Sequence, residues 1–104
     1  MTDVKQMKVF TPGKIGSLQL RNRTIRAGCF EGMCPNATPG EALLKHHQAV
    51  AHGGIGMTTV SYCAVAKDGV AFGHEMYMRP EIIPILKKMT DAIHAEGAAA
   101  SVQL

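Results

Sequence analysis

The stretch His52–Val65, "HGGIGMTTVSYCAV", decides the fold. Its first glycines are typical of the end of a helix, and residues 55–65 form a β-branched, apolar run without strict alternation. Such a run suits a strand that is covered on both faces, as in a parallel sheet. Because these glycines precede a strand, whereas phosphate-binding glycines follow a strand and open a helix, they do not predict a phosphate loop. We expect a helix that ends at Gly53 and Gly54, followed by a buried strand.

The helix upstream of these glycines has a predicted start. Thr38 can cap the helix N-terminus, Pro39 suits the first helical position, and Glu41 completes a capping box three residues after Thr38. The apolar residues on or near one face of this helix are Ala42, Leu43, Ala49 and Val50. We expect this face to pack against the sheet.

A second helix is predicted over roughly residues 81–96, because apolar residues recur there at spacings of three and four. The residues of this stripe are Ile82, Leu86, Met89 and Ile93. Pro84 is tolerated only near the first turn, and Gly97 is the predicted stop. The segment "AAASVQL", residues 98–104, then predicts a third strand.

The remaining elements complete an alternating pattern. "KIGSLQLRNR" predicts a tight hairpin, because Gly16 and Ser17 lie between short apolar stretches. A short strand follows from about Arg23 to Ala27. Strands that alternate with helices imply an α/β fold with a parallel sheet. The long loops 31–41 and 66–81 follow strands and precede helices, so we expect them at the carboxyl ends of the strands, where such proteins build their sites.

Composition excludes several classes of function. The chain has 104 residues, of which 46% are hydrophobic and 18% charged, as in an ordinary soluble domain. Its net charge of +3 comes from scattered residues, which predicts no nucleic-acid or membrane partner. The first ten residues, "MTDVKQMKVF", lack an apolar signal core. The three cysteines match neither a disulfide framework nor a zinc or iron–sulfur spacing, and they favour a reducing cytoplasm.

Few side chains stand out as chemical candidates. His46 and His47 are sequence neighbours, so we expect them to point to different sides of a helix, solvated and unable to chelate one metal. Glu31 and Glu75 lie in the site-side loops, where we expect solvated carboxylates. Gln103 lies at the end of a predicted buried strand, where its amide either reads the edge of a flat heterocycle or bonds neighbouring backbone. The residues alone leave these two alternatives open.

Three segments of the sequence resemble a known protein family. The segments "VFTPGKIGSLQLRNRTIRAGCF", "HGGIGMTTVSYCAV" and "LKKMTDAIHAEGAAASVQL" resemble the amino-terminal third of the old yellow enzymes, including their dienoyl-CoA reductase branch. The motifs that carry the resemblance are Phe10-Thr11-Pro12 with Ile15-Gly16, Leu20-x-Asn22-Arg23, Gly53-Gly54-x-Gly56, and His94-Ala95-x-Gly97 ending in Gln103-Leu104. They occur in the order and spacing of the family, from about Val9 to Leu104.

The resemblance implies a fold and an activity. The fold is an α/β one: an N-terminal hairpin plus the first three β/α units of a (β/α)₈ TIM barrel. Residues 1–104 would be the incomplete N-terminal portion of a single FMN-binding domain. The implied activity is an FMN-dependent oxidoreductase. Hydride passes from NADH or NADPH through the flavin to a small-molecule substrate with an electron-poor C=C bond, such as an enone or a dienoyl thioester.

The resemblance also implies cofactor-binding positions, at the carboxyl ends of the first three strands. They are Ala27, Gly28, Cys29, Phe30, Tyr62 and Gln103. Three of them depart from the family pattern. Gly28 stands where proline is usual, Phe30 where threonine or cysteine tunes the redox potential, and Tyr62 where a small residue is common. These departures indicate a divergent subgroup.

A complete barrel takes roughly 250 residues, so we expect this chain to be a fragment. The family's catalytic residues, and any iron–sulfur cluster, would follow Leu104, and no catalytic residue or metal ligand is assigned here. We expect the isolated chain to bind FMN weakly or not at all, to show no turnover and to expose sheet edges that invite aggregation. One alternative is a split-gene half that needs a partner chain with the remaining strands. The other is a flavodoxin-like binding domain, for which "GCFEGMCPN" is a poor phosphate loop.

Overall fold

A hairpin precedes the main sheet, as the sequence predicts. The computed structural model describes residues 3–104, so the first two residues of the predicted domain lie outside the described residues. Strands β1 (Gly13–Ile15) and β2 (Leu18–Leu20) pair antiparallel, with Lys14 opposite Gln19. The turn between them places Gly16 at a φ of +58°, in the left-handed region that favours glycine. The predicted hairpin is therefore confirmed.

The main sheet has three parallel strands. They are β3 (Ile25–Arg26), β4 (Met57–Val60) and β7 (Ala99–Val102), in the spatial order β3-β4-β7. Helix α1 (Glu41–His52) connects the first two strands, and helix α2 (Ile83–Ala95) lies between β4 and β7 in the sequence. The helices pack on each other and on the sheet. The predicted parallel arrangement is confirmed, although β3 is shorter than expected.

The apolar run at residues 55–65 forms two short strands instead of one long strand. After β4 the peptide bond between Ser61 and Tyr62 is cis, and the chain continues as β5 (Cys63–Ala64). Strand β5 pairs in parallel with β6 (Met76–Tyr77), which lies in the second long loop. The single long strand expected over residues 55–65 is therefore wrong in extent, because its second half leaves the main sheet to pair with β6.

The predicted capping box at the start of α1 is wrong. The helix begins at Glu41, and Gly40 occupies the N-cap position. The Thr38 hydroxyl instead donates to the Asn36 carbonyl and accepts from Arg79 Nη2 at 3.0 Å. Arg79 follows β6, so a residue remote in the sequence has taken the group that was expected to cap the helix.

The two helices differ in how well their buried faces were predicted. In α2 the stripe is confirmed, since Ile82, Met89 and Ile93 are buried and Leu86 packs against the same core. In α1 the predicted face is confirmed only at Leu43. Ala42 and Ala49 are exposed and Val50 is half-buried, whereas the buried residues are Leu43, His47 and Ala51. A histidine occupies this face because it finds polar partners there.

Close backbone contacts hold together the segments that lead into β3 and β4. A Cβ atom added to Gly56 would lie 2.5 Å from the Asn22 carbonyl oxygen and 2.8 Å from that of Thr24. Asn22 holds this contact, because its Nδ2 donates to the Gly54 carbonyl at 2.7 Å and its Oδ1 accepts from Thr24 Oγ1 at 2.6 Å. Gly53 is the C-cap of α1, so the predicted helix stop is confirmed. No helix within residues 3–104 is both long and apolar enough to span a membrane.

Candidate functional site

The carboxyl ends of the three parallel strands meet at one edge of the sheet. Residues 27–30 follow β3, Ser61 and Tyr62 follow β4, and Gln103 follows β7. Backbone hydrogen bonds join these segments: the Gln103 amide donates to the Val60 carbonyl at 2.9 Å, and the Cys63 amide donates to the Gln103 carbonyl at 3.0 Å. The segments predicted to contact a cofactor are therefore held side by side.

Gly28 and Gln103 are in direct contact at this edge. A Cβ atom added to Gly28 would overlap Gln103 Oε1, and it would lie 3.3 Å from Ser61 Oγ. The Gln103 residue is exposed, so the expected buried amide is wrong. The side chain reaches across the strand ends because glycine at position 28 leaves room for it. Ala27 and Cys29 are both exposed beside this contact.

Three aromatic rings cluster beside the strand ends. The Phe30 and Tyr62 rings stack, with centroids 5.5 Å apart and an interplanar angle of 18°. Phe72, from the loop between β5 and β6, adds a third ring 5.1 Å from Phe30. Sequence reasoning missed Phe72. Its position in a site-side loop is the only signal that could have indicated it, because no local pattern brings residue 72 to residue 30.

A cavity opens between this cluster and the end of β7. Its volume is about 480 Å³, and Tyr62, Ala64, Phe72, Glu75, Gln103 and Leu104 contribute to its lining. Glu75 is buried, so the expected solvated carboxylate is wrong. Its Oε1 accepts hydrogen bonds from the backbone amides of Ala71 at 3.0 Å and Phe72 at 3.2 Å. Glu75 therefore orders the loop that carries the third aromatic ring.

Glu31 is also buried rather than solvated as expected. Its side chain is 3% exposed. Oε1 accepts from Arg26 Nη1 at 3.3 Å and lies 2.9 Å from His47 Nε2, while Oε2 accepts from the Ser61 amide at 3.1 Å. His47 in turn places its Nδ1 2.8 Å from Thr58 Oγ1. This network joins the loop after β3 to α1 and to the end of β4.

The expectation that the two neighbouring histidines are solvated is wrong. His47 is fully buried and His46 is half-buried, and their rings lie 5.1 Å apart in an edge-to-face arrangement. Glu31, His46 and His47 each offer a possible ligand atom, and these atoms lie within 4.8 Å of one another. Burial lowers the pKa of His46, and the neighbouring His47 adds to that shift. The two rings lie together because α1 packs on the sheet and because hydrogen bonds with Glu31 and Thr58 hold the His47 ring in place.

The three cysteines are free thiols in different surroundings. Cys29 is exposed at the strand ends, whereas Cys34 and Cys63 are buried in the core. Burial, together with the nearby Glu31 carboxylate, raises the pKa of the Cys34 thiol to about 11. Burial also raises the pKa of Cys63. Of the three, Cys29 alone combines access to solvent with a place at the candidate site.

Residues 8–104 match the NADH:flavin oxidoreductase / NADH oxidase family. The chain belongs to this family. The predicted resemblance to the old yellow enzymes is thereby confirmed. The chain is 41% identical over its whole length to the 4,4'-dithiodibutanoate disulfide reductase of Rhodococcus erythropolis, and it spans 26% of the length of that relative.

Solved structures agree with this membership. The fold superposes on an old yellow enzyme from Pichia sp. AKU4542 with a TM-score of 0.89 and 17% identity, over 98% of this chain and 27% of the other. It superposes on a 2-naphthoyl-CoA reductase with a TM-score of 0.88 and 26% identity, over 93% of this chain and 15% of the other. The chain therefore has the fold of a part of a TIM-barrel flavin oxidoreductase.

Proposed function

We propose that the protein is an FMN-dependent oxidoreductase that takes hydride from NADH or NADPH and delivers it to a small-molecule acceptor. The family match over residues 8–104 carries this proposal. It is supported by the meeting of three strand ends beside a cavity of about 480 Å³. Parallel α/β barrels place their sites at this end of the strands.

The residues at the strand ends suit a flat ring with a polar edge. Gly28 has no side chain to obstruct a ligand, and the exposed Gln103 amide offers two donors and an acceptor. Ser61 Oγ is buried without a hydrogen-bond partner in the described part of the chain, residues 3–104. We assign FMN contacts to the positions that the resemblance implies, which are Ala27, Gly28, Cys29, Phe30, Tyr62 and Gln103.

When bound, FMN supplies hydride transfer between the nicotinamide and the acceptor, which no amino-acid side chain supplies. The chain's own residues bind and orient the ring. Gln103 Nε2 would donate to an acceptor on the ring edge, and glycine at position 28 leaves room for the Gln103 side chain at the strand ends. Phe30 carries no side-chain donor, so polar contact at its position comes from the backbone. The aromatic rings of Tyr62 and Phe72 form an apolar part of the cavity lining.

We propose that the hairpin and the three parallel strands are the first three β/α units of a (β/α)₈ barrel. Residues 1–104 are then the N-terminal portion of one FMN-binding domain. The support is the small share of each relative that the match covers, 26% for the Rhodococcus reductase. The remaining barrel strands come from elsewhere in the same polypeptide or from a partner chain.

Two classes of acceptor are proposed. The first is an electron-poor C=C bond, as in an enone or a dienoyl thioester, which the resemblance to the old yellow enzymes favours. The second is a disulfide, favoured by the 41% identity to the relative named for reducing 4,4'-dithiodibutanoate. Cys29, exposed at the strand ends, is a further feature compatible with disulfide chemistry. In both cases the nicotinamide is the reductant, and the acceptor gains a hydride and a proton.

A chimera tests the proposal. The matched segment of the Rhodococcus reductase is replaced by this chain, and FMN content and NAD(P)H oxidation are measured with 2-cyclohexenone and with 4,4'-dithiodibutanoate. We expect retained flavin and turnover of one acceptor class. Gln103→Leu removes an uncharged hydrogen bond to the flavin, which contributes about 1–1.5 kcal/mol to binding. We therefore expect this variant to bind FMN about tenfold more weakly. The matched control, Gln19→Leu on the exposed hairpin, should leave FMN affinity unchanged. A folded chimera that holds no flavin contradicts the proposal.

A further inference from the structure

One carboxylate and two imidazoles form a cluster between the loop after β3 and helix α1, and these three residues are not part of the cavity lining. Its members are Glu31, His46 and His47, whose candidate ligand atoms lie within 4.8 Å of one another. His47 is fully buried, and the Glu31 side chain is 3% exposed. Imidazole nitrogens with a carboxylate oxygen are a donor set that Zn²⁺ and similar divalent cations prefer.

One nitrogen of the cluster is unpaired. His46 Nε2 is buried and has no hydrogen-bond partner among residues 3–104. Buried polar atoms in folded proteins are almost always hydrogen-bonded, so each unpaired one calls for an explanation such as a bound water or ion. The His46 ring lies beside the His47 ring, with the two ring centroids 5.1 Å apart.

The other two members are already oriented by the protein. His47 Nδ1 lies 2.8 Å from Thr58 Oγ1, which leaves Nε2 directed at Glu31. Glu31 Oε2 is held by the Ser61 amide at 3.1 Å, so Oε1 is the oxygen that faces the imidazoles. Metal-binding histidines are typically fixed in this way, by a hydrogen bond at the nitrogen that does not bind the ion.

We propose that Glu31, His46 and His47 form a binding site for a single divalent cation of the zinc class. Three protein ligands leave a fourth position for water. The ion would join the loop after β3 to α1, next to the end of β4, where the Ser61 amide donates to the same carboxylate. Arg26 Nη1 contacts the same Glu31 oxygen at 3.3 Å, so its positive charge competes with the cation.

Zinc binding to the purified protein tests the site. The protein is stripped with a chelator and titrated with Zn²⁺, and then with Co²⁺, whose visible spectrum reports the ligand types. We expect one saturable equivalent and a Co²⁺ spectrum of nitrogen and oxygen ligands. His46→Phe keeps a ring at that position but removes the unpaired nitrogen, so we expect a loss of affinity of at least about tenfold. The control, His94→Phe, alters an exposed histidine outside the cluster and should leave the affinity unchanged.

Two further variants separate a metal site from a merely structural network. Thr58→Val removes the partner of His47 Nδ1 and should lower Zn²⁺ affinity about 10- to 100-fold. Arg26→Gln removes the competing charge and should raise it, an effect that loss of folding does not produce. The proposal is overturned by the absence of saturable Zn²⁺ binding, by undiminished binding in His46→Phe, or by a thiolate charge-transfer band in the Co²⁺ spectrum.

Discussion

Arg21 is predicted to be a principal stabilising residue at the amino end of the sheet. Its guanidinium donates to the carbonyl oxygens of Ala51 in α1, Glu96 at the end of α2, and Ile55 just before β4, the last at 3.1 Å. The last carbonyls of a helix have no partner within the helix, and a cation near them also interacts favourably with the helix dipole. Arg21 thus satisfies the ends of both helices at once. A Cβ atom added to Gly97 would lie 2.7 Å from its Nη1.

The expected cost of Arg21→Ala follows from these bonds. A hydrogen bond that involves a charged group contributes about 1.5–3 kcal/mol, so three of them set an upper bound of about 4.5–9 kcal/mol. The groups are part-buried, and water can replace the guanidinium at each carbonyl, which reduces the loss. We expect the free energy of unfolding to fall by about 3 kcal/mol, a large part of the roughly 5–15 kcal/mol of a typical domain. Arg21→Lys should recover about a third, because an ammonium cannot span three carbonyls.

Urea unfolding of the purified protein measures this effect. The midpoint should fall without a change in the slope m, which reports the surface exposed on unfolding. Arg23→Ala is the matched control two residues away, since within residues 3–104 the exposed Arg23 guanidinium donates hydrogen bonds only to Pro12 O at 3.0 Å and Thr11 Oγ1 at 3.4 Å. Its expected cost is under about 0.5 kcal/mol. If Arg21→Ala and Arg23→Ala unfold at the same midpoint, the capping argument is refuted.

Two other predictions concern backbone clearance and thiol chemistry. Gly56→Ala should cost about 3 kcal/mol or more, measured by thermal unfolding, because its Cβ would meet the Asn22 carbonyl oxygen at 2.5 Å. Gly73→Ala, with nothing within 4 Å, should have little effect, and equal melting temperatures would contradict the packing argument. With a disulfide reagent at pH 8, Cys29 should react rapidly, while Cys34, whose pKa is raised to about 11, holds only about one thiolate in a thousand. A rapid phase that survives in Cys29→Ser contradicts this assignment.

Local sequence signals predicted much of the fold. The hairpin follows from the Gly16 turn, the end of α1 from Gly53, and the buried stripe of α2 from apolar spacing. Each of these three signals acts within one turn or one helix, and no distant contact displaces it in the folded chain. The same reasoning placed Gly28 and Gln103 at strand ends, and these two residues do meet.

Predictions failed where a residue distant in the sequence supplies the contact. Thr38 was expected to cap α1, but Arg79 binds its hydroxyl across 41 residues of sequence. Phe72 went unnoticed as a member of the aromatic cluster, because its contact with Phe30 arises only when β5 and β6 pair. Arg79 and Phe72 both belong to the second long loop, residues 66–81. This loop has no sequence periodicity from which its path could be predicted.

By itself, the sequence determined the order of the hairpin, the two helices and the three strands of the main sheet, their parallel arrangement, and the edge at which their carboxyl ends gather. Only the tertiary structure decided which polar side chains are buried. Glu31 and His47 lie 16 residues apart, and Glu31 and Ser61 lie 30 apart, yet they form one network. A buried charge is stable only when its partners surround it, and those partners are brought together by the packing of α1 on the sheet rather than by any local pattern.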